Sequence, residues 1–102
     1  MNREIQDRLE TAKRKYISEG FVILGIFGSY ARGEESEKSD IDVLYEVTDS
    51  FCDKYSGFDY FARIDEIRGE LKSEFGREIN FADIHGLNRI GRKYIIPEVV
   101  YV

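Results

Sequence analysis

The chain has 102 residues, of which 42% are hydrophobic, so we expect one compact domain, residues 1–102, with a single core. Its 20 acidic side chains outnumber its 15 lysines and arginines and give a net charge of -5, which argues against an extended nucleic-acid-binding surface. Cys52 is the only cysteine and no apolar run approaches the roughly 20 residues that span a bilayer, so we expect a soluble cytoplasmic protein with no disulfide and no membrane partner.

Hydrophobic spacing predicts one helix and two strands in the first half of the chain. Residues 2–19 place apolar side chains at helical intervals, and Gly20 supplies a stop signal. Residues 21–27 are almost wholly apolar, which is typical of a strand covered on both faces, and Gly25 within them indicates close packing rather than binding. Residues 41–47 are the second predicted strand, whose side chains alternate between its two faces.

The second half of the chain predicts further elements of both kinds, so the fold class is α+β. In order they are a polar connection (48–57), a long helix covering the sheet (58–75), a third strand (79–84) and a short helix (87–96). Gly76 is a helix-terminating glycine and Pro97 ends the short helix. The apolar, β-prone residues 99–102 are expected either to pair with a sheet edge or to lie against another subunit of an oligomer.

Two aspartates one residue apart open the second predicted strand. Because side chains alternate along a strand, Asp40 and Asp42 project from one face, with Cα atoms about 6.6 Å apart. Two converging carboxylates repel each other unless a cation lies between them, and hard oxygen ligands suit Mg²⁺ or Mn²⁺. Asp40 could instead serve a turn, but an acid inside an apolar strand, such as Asp42, requires a partner. The pair is therefore a candidate metal site.

A Gly-Ser turn leaves the first predicted strand. Gly28 lets backbone amides approach an anion closely, Ser29 offers a hydroxyl, and Arg32 supplies positive charge nearby. Ser29 could instead cap a short helical turn, and Arg32 could be an ordinary exposed arginine. Phosphate ligands at one end of the stretch and a candidate metal site at the other predict binding of a nucleotide triphosphate.

The spacing of Gly28 and Ser29, then ten residues, then Asp40 and Asp42 resembles the signature of minimal nucleotidyltransferases of the DNA polymerase β superfamily. The resemblance covers nearly the whole chain. It implies a nucleotidyltransferase fold, a small mixed β-sheet covered by α-helices. It also implies catalytic and metal-binding roles for Asp40 and Asp42, and nucleotide binding by Gly28, Ser29, Arg32 and Ser39.

One position departs from the family pattern. Where the family has a third carboxylate on the strand after the long helix, this chain has Asn80. The resemblance implies that position 80 is a metal ligand, and Asn80 can offer one neutral oxygen but cannot accept a proton. Glu78 lies two residues before Asn80, so its side chain points to the same face of an extended chain and could substitute for the missing acid. Asp83, three residues after Asn80, points to the opposite face of a regular strand.

The resemblance further implies an activity and a partner. The chain would transfer AMP from ATP, with Mg²⁺ or Mn²⁺, to a hydroxyl on a HEPN-domain toxin, and so act as its antitoxin. Because of Asn80, the alternative is a catalytically impaired module that binds a nucleotide or only its partner. An enzyme that modifies free small molecules is a weaker hypothesis, because the chain has no room for a second domain to form an acceptor pocket.

Overall fold

The computed structural model describes residues 2–102. The helices are α1 (Arg3–Tyr16), α2 (Gly28–Arg32), α3 (Asp49–Lys54), α4 (Phe58–Phe75) and α5 (Arg89–Tyr94). The strands are β1 (Phe21–Phe27), β2 (Ile41–Val47), β3 (Ile79–Asp83) and β4 (Val100–Tyr101). Single 3₁₀ turns cover Ile17–Glu19, Ile84–Gly86 and Ile96–Glu98.

The four strands form one mixed sheet in the order β3-β2-β1-β4. β1 runs antiparallel to both β2 and β4, whereas β2 and β3 are parallel. A parallel pair needs a long crossover, and α3 and α4 supply it. The predicted α+β fold with a small mixed sheet and covering helices is therefore confirmed.

One hydrophobic core lies between the sheet and the helices α1, α3 and α4. Side chains from all of these elements are almost fully buried in it, among them Leu9, Phe21, Ile23, Val43, Phe51, Ile67 and Leu71. These are the side chains whose burial drives the packing of amphipathic helices onto a sheet. Within residues 2–102, no helix has the length and hydrophobicity that crossing a membrane requires.

β1 contains a bulge at Leu24. Ile23 lies opposite Tyr45 and Gly25 lies opposite Leu44, so Leu24 has no Cα partner on β2. The extra residue shifts by one position the alternation of side chains between the two faces of the sheet. As a result, both Ile23 and Ile26 are buried in the same core. The continuous apolar run of β1 thus reflects a bulged strand.

The chain after β3 returns to the free edge of β1. Gly25 pairs with Tyr101 and Ile26 with Val100 in β4, so the predicted pairing of the tail with a sheet edge is the alternative that the structure adopts. A Cβ atom on Gly25 would lie 2.5 Å from the carbonyl oxygen of Val100, which is too close for any side chain. The expectation that Gly25 allows close packing is confirmed.

Two predicted helices are shorter than expected, the first being Arg3–Tyr16 rather than 2–19 and the short one Arg89–Tyr94 rather than 87–96. Two further differences have a clear physical cause. The polar connection contains α3, because the side chain of Phe51 is fully buried against the rings of Phe21 and Tyr60. The third strand ends at Asp83 rather than residue 84, because the Asp83 carboxylate accepts a hydrogen bond from the His85 amide and begins a 3₁₀ turn. Both differences depend on local or tertiary contacts that hydrophobic spacing does not report.

A polar network joins the end of α1 to the long helix. Glu19 accepts two hydrogen bonds from the Arg63 guanidinium, at 2.7 and 2.8 Å, and a third from the hydroxyl of Tyr55 at 2.6 Å. These contacts, led by the Arg63 hydrogen bonds, lower the pKa of the Glu19 carboxyl from 4.5 to about 2. The network therefore holds Glu19 ionised.

Candidate active site

One end of the sheet brings the ends of three strands together. Because β1 and β2 are antiparallel, Phe27 at the end of β1 lies opposite Asp42 near the start of β2. Because β2 and β3 are parallel, Asn80 near the start of β3 lies opposite Asp42 from the other side. Gly28 follows Phe27 directly and begins α2. Backbone pairing thus gathers the Gly-Ser turn, the two aspartates and position 80 at one edge.

The two aspartate side chains converge on the amide of Asn80. Its Nδ2 donates a hydrogen bond of 3.1 Å to Oδ2 of Asp40 and another of 2.9 Å to Oδ1 of Asp42. One nitrogen can bridge both carboxylates only if they point to the same side of the sheet. The expected common face of Asp40 and Asp42 is therefore observed.

Gly28 holds a conformation that only glycine adopts easily, with φ of 76°. A Cβ atom at this position would lie 2.1 Å from Oδ2 of Asp42. The second oxygen of Asp42 therefore rests directly against the Gly-Ser turn, and glycine is required both by the backbone angle and by this contact. The predicted metal-binding and phosphate-binding ends of the motif are therefore neighbours in space.

A residue that sequence analysis missed completes the turn. Glu98, in the 3₁₀ turn before β4, accepts a 3.0 Å hydrogen bond from the Gly28 amide through Oε1. Its Oε2 accepts a 3.1 Å hydrogen bond from Nη1 of Arg32, whose Nε also donates to Glu34 at 3.0 Å. No sequence signal marks Glu98, because it lies 70 residues from Gly28.

The two serines of the motif differ in their surroundings. Ser29 is half-buried in α2, and its hydroxyl makes no hydrogen bond to any residue between 2 and 102, so it is available to a ligand. The hydroxyl oxygen of Ser39 accepts a 2.9 Å hydrogen bond from the Ser36 amide, which closes the loop before β2. Nucleotide binding by Ser29, Ser39 and Arg32 stays a prediction.

The site is strongly acidic. Partial burial raises the pKa of the Asp42 carboxyl; the hydrogen bond from Asn80 opposes that shift, and the nearby charge of Asp40 adds to it. Arg32 is the basic group that lowers the pKa of Asp42, and it is shared with two glutamates. An added cation would relieve this excess of negative charge.

The donor set fits a hard divalent cation. Carboxylate and amide oxygens are the ligands that Mg²⁺ and Mn²⁺ prefer, and the Asn80 amide already supplies the positive partial charge between the two carboxylates. Asp40 and Asp42 are the groups that would hold such an ion. The oxygen of Asn80 would join them after a half-turn of its amide, since the nitrogen now faces both carboxylates. Within the described residues, no three aspartate, glutamate, histidine or cysteine side chains are grouped to share a metal.

The other acids near position 80 are engaged elsewhere. The Glu78 carboxylate lies 2.6 Å from Nζ of Lys72, although Glu78 was the substitute that parity favoured. Asp83 lies opposite Tyr45 in the sheet and faces away from the aspartate pair, as its parity predicted. Asn80 is thus the residue of β3 that contacts both aspartates.

An open cleft of about 530 Å³ adjoins Asp40 on the β3 side of the site. Its walls come from the loop before β2, the end of α4 and the start of β3, and include Lys38, Ser39, Lys72, Arg77 and Glu78. Because β2 lies between β1 and β3, the cleft and the Gly-Ser turn flank the aspartates from opposite sides. A second reactant has room to approach Asp40 there.

Comparison with known proteins gives consistent results. Residues 9–100 match the family model described as "Nucleotidyltransferase domain". The protein adenylyltransferase MntA of Thermococcus cleftensis is 30% identical over 94 residues, which cover 90% of this chain and 87% of that protein. The Methanocaldococcus jannaschii protein MJ0435, provisionally named a protein adenylyltransferase, is 33% identical over 94 residues, covering 88% of this chain and 92% of that protein.

A structural comparison supports the fold independently. A solved structure provisionally described as a minimal nucleotidyltransferase superposes with a TM-score of 0.73. The match covers 98% of this chain and 94% of that one, at 24% sequence identity. At this identity the likeness establishes the fold alone.

Proposed function

The chain belongs to the nucleotidyltransferase domain family, and from that premise we propose that it transfers AMP from ATP to a hydroxyl group and releases pyrophosphate. The observation that carries the proposal is the convergence of Asp40 and Asp42 beside the Gly-Ser turn, bridged by Asn80. This arrangement supports the proposal because it groups, within one site, the carboxylates that divalent ions prefer and a glycine turn next to a basic side chain, as a phosphate chain requires.

The proposed reaction is an in-line displacement at the α-phosphorus. The acceptor oxygen forms a bond to the α-phosphorus, the bond from that phosphorus to the bridging oxygen of pyrophosphate breaks, and the hydroxyl proton passes to Asp40 or to water. Gly28, Ser29 and Arg32 would bind and orient the phosphates. The protein contributes positioning and charge, which account for most of the catalysis in phosphoryl transfer.

Metal ions are part of this proposal. Asp40, Asp42 and the Asn80 oxygen would hold Mg²⁺ or Mn²⁺, which when bound neutralises charge on the phosphates and lowers the pKa of a coordinated hydroxyl. The family relationship supports a nucleotide substrate and a divalent ion in general terms. The choice of Mg²⁺ rests on the oxygen-only ligand set.

The acceptor is proposed to be a protein. The relatives MntA and MJ0435 carry the name protein adenylyltransferase, which favours a side-chain hydroxyl as acceptor. We propose a tyrosine of a HEPN-domain toxin, which the chain would modify and thereby neutralise as an antitoxin. The cleft beside Asp40 is open enough for an extended segment of a protein partner.

The test is transfer of AMP to the co-purifying protein. The purified pair is incubated with Mg²⁺ and α-labelled ATP, and the label and the added mass are located by peptide mass spectrometry. Asp42→Asn keeps the side-chain shape but removes the charge and should lower transfer at least about 100-fold, in line with the loss of an electrostatic catalytic group. Asp53→Asn, which makes the same change at an exposed position of α3, is the matched control and should retain activity. Full transfer by Asp42→Asn would refute the assignment.

Asn80 favours a second candidate function. If its neutral amide cannot support turnover, the chain would bind a nucleotide or its partner without catalysis. Tight, stoichiometric partner binding with no AMP transfer, together with activity gained in Asn80→Asp, would identify such an impaired enzyme. Partner binding without any gain in Asn80→Asp would indicate a role in interaction only.

A further inference from the structure

Glu98 occupies the hydrogen-bond donors that the proposed function assigns to the triphosphate. One carboxylate oxygen accepts from the Gly28 amide at 3.0 Å and the other from the Arg32 guanidinium at 3.1 Å. A carboxylate and a phosphate present the same kind of anionic oxygen to such donors. Glu98 therefore binds these groups in the way that a phosphate would.

The two anions cannot use the same donors at once. An amide N–H directed at Glu98 is not available to a phosphate oxygen, and Arg32 already balances two carboxylates. Bringing a triphosphate into contact with an unmoved Glu98 would also place like charges side by side, which is unfavourable. Binding through these donors therefore requires Glu98 to leave.

Glu98 can leave without unfolding the segment that carries it. The backbone beyond it is anchored by the pairing of β4 with β1, by a 3.0 Å hydrogen bond from the Val102 amide to the Leu24 carbonyl, and by Lys13 on the Val102 carbonyl. Its side chain, in contrast, is 27% exposed. This partial exposure leaves the carboxylate an open path to solvent, so a rotamer change of one side chain is sufficient.

We propose that Glu98 is an internal competitor of the nucleotide, which a triphosphate displaces from the Gly28 amide and Arg32. In the free protein the carboxylate neutralises Arg32 and holds α2 in place. When a nucleotide binds, phosphate oxygens take over both contacts and Glu98 turns to solvent. The inference rests on the proposed function, because it assumes that the triphosphate uses these donors. Its consequence is that Glu98 lowers nucleotide affinity.

The test compares MgATP affinity in the full chain and two variants by isothermal titration calorimetry. Glu98→Gln keeps the length and one neutral acceptor but removes the charge, and should bind MgATP about fivefold to twentyfold more tightly, because neutral hydrogen bonds compete less well. Glu74→Gln removes the same charge from an exposed residue of α4 that pairs with no basic side chain in residues 2–102, and should change the dissociation constant less than about twofold. Magnesium tripolyphosphate, titrated in place of MgATP, should bind the three proteins in the same order of affinity.

A second measurement covers the case in which Glu98→Gln disturbs α2. In the unaltered protein, NMR should show the Gly28 amide and the Glu98 side-chain carboxyl resonances shifting together as MgATP is added. Two results would overturn this inference and leave the proposed function intact. One is a set of Glu98 resonances that does not change at saturation with MgATP. The other is equal or weaker MgATP binding by Glu98→Gln when its melting temperature is that of the unaltered protein. No MgATP binding by any of the three proteins would refute the proposed function with it.

Discussion

Asp42 on β2 and Asn80 on β3 lie directly opposite each other in the parallel register, and the Asn80 amide donates a 2.9 Å hydrogen bond to the Asp42 carboxylate. The neutral amide thus stands at the position where the resemblance to minimal nucleotidyltransferases predicts a third acid. This relationship keeps the two aspartates together without a cation, and it yields the first prediction.

Asn80→Asp should make stability depend on divalent ions. Without metal, three carboxylates would converge and two hydrogen bonds would be lost, so we expect the variant to be less stable by about 1–3 kcal/mol. Bound Mg²⁺ should restore stability, since a ligand that binds only the folded state raises the melting temperature. Thermal unfolding across a MgCl₂ titration measures this.

The control for that experiment is Asn2→Asp, which makes the same chemical change at the N-cap of α1, where aspartate caps equally well. Its melting temperature should follow that of the unaltered protein at every MgCl₂ concentration. Equal Mg²⁺ responses in all three proteins would mean that position 80 does not contact the ion.

Gly28→Ala and Gly33→Ala should separate backbone strain from damage to the site. Both glycines have positive φ, 76° and 71°, so each substitution carries left-handed strain of roughly 1–2 kcal/mol. At Gly33 a Cβ meets nothing within 4 Å, whereas at Gly28 it would meet Asp42 at 2.1 Å. We expect Gly28→Ala to be the less stable of the two in urea unfolding and to lose AMP transfer, while Gly33→Ala keeps it. Equal loss of transfer would argue against a role for the Gly28 contact.

Glu19 should make the fold sensitive to acid. Its carboxyl has a pKa of about 2 in the folded protein against 4.5 ordinarily, so the folded state favours the ionised form. The stabilisation is complete above about pH 4.5 and is lost as the pH falls towards 2, up to about 1–3 kcal/mol. Urea unfolding between pH 2.5 and 6 should show a smaller fall for Glu19→Gln than for the unaltered protein. Glu74→Gln, an exposed change on α4, should not flatten the profile.

Alanine at Gly25 and at Gly69 should act in opposite directions. A Cβ on Gly25 would strike the Val100 carbonyl at 2.5 Å, so Gly25→Ala should destabilise the protein by about 1–3 kcal/mol through overpacking. Gly69 lies inside α4 with nothing within 4 Å, so Gly69→Ala should stabilise it by roughly 0.5–1 kcal/mol through helix propensity. Hydrogen exchange should quicken at the Val102 amide in Gly25→Ala alone. Protection there as strong as before would mean that β4 tolerates the methyl group.

Sequence periodicity predicted the long elements because each has enough residues to show a regular pattern of buried positions by itself. The bounds of β1, β2 and α4 agree with the predicted ranges 21–27, 41–47 and 58–75. α3 escaped prediction because six residues carry little periodic signal, and the element depends on the burial of Phe51 under distant rings. Short elements of this kind are specified by tertiary contacts.

Some features of the candidate site could likewise be predicted from the sequence, and others depend on the fold. Asp42 and Asn80 lie in the second and third predicted strands and Gly28 directly follows the first. Strand geometry therefore predicted the common face of Asp40 and Asp42, while the pairing of the strands that brings Gly28 and Asn80 to them is seen only in the fold. Glu98 could not be predicted, because a glutamate in a polar turn is unremarkable until the fold carries it back to Gly28. The alternation of side chains along the strand also does not reveal that Glu78 forms an ion pair with Lys72.

The bulge at Leu24 has a consequence for engineering this edge of the sheet. Leu24 is the surplus residue of β1, so deleting it would straighten the strand while Ile23 and Ile26 kept their orientation. Deleting Ile26 instead would turn Phe27 to the opposite face of the sheet, and Gly28 would leave the strand on the wrong side of Asp42. Shortening of β1 is therefore tolerated at the bulge, whereas elsewhere in the strand it would separate the Gly-Ser turn from Asp42.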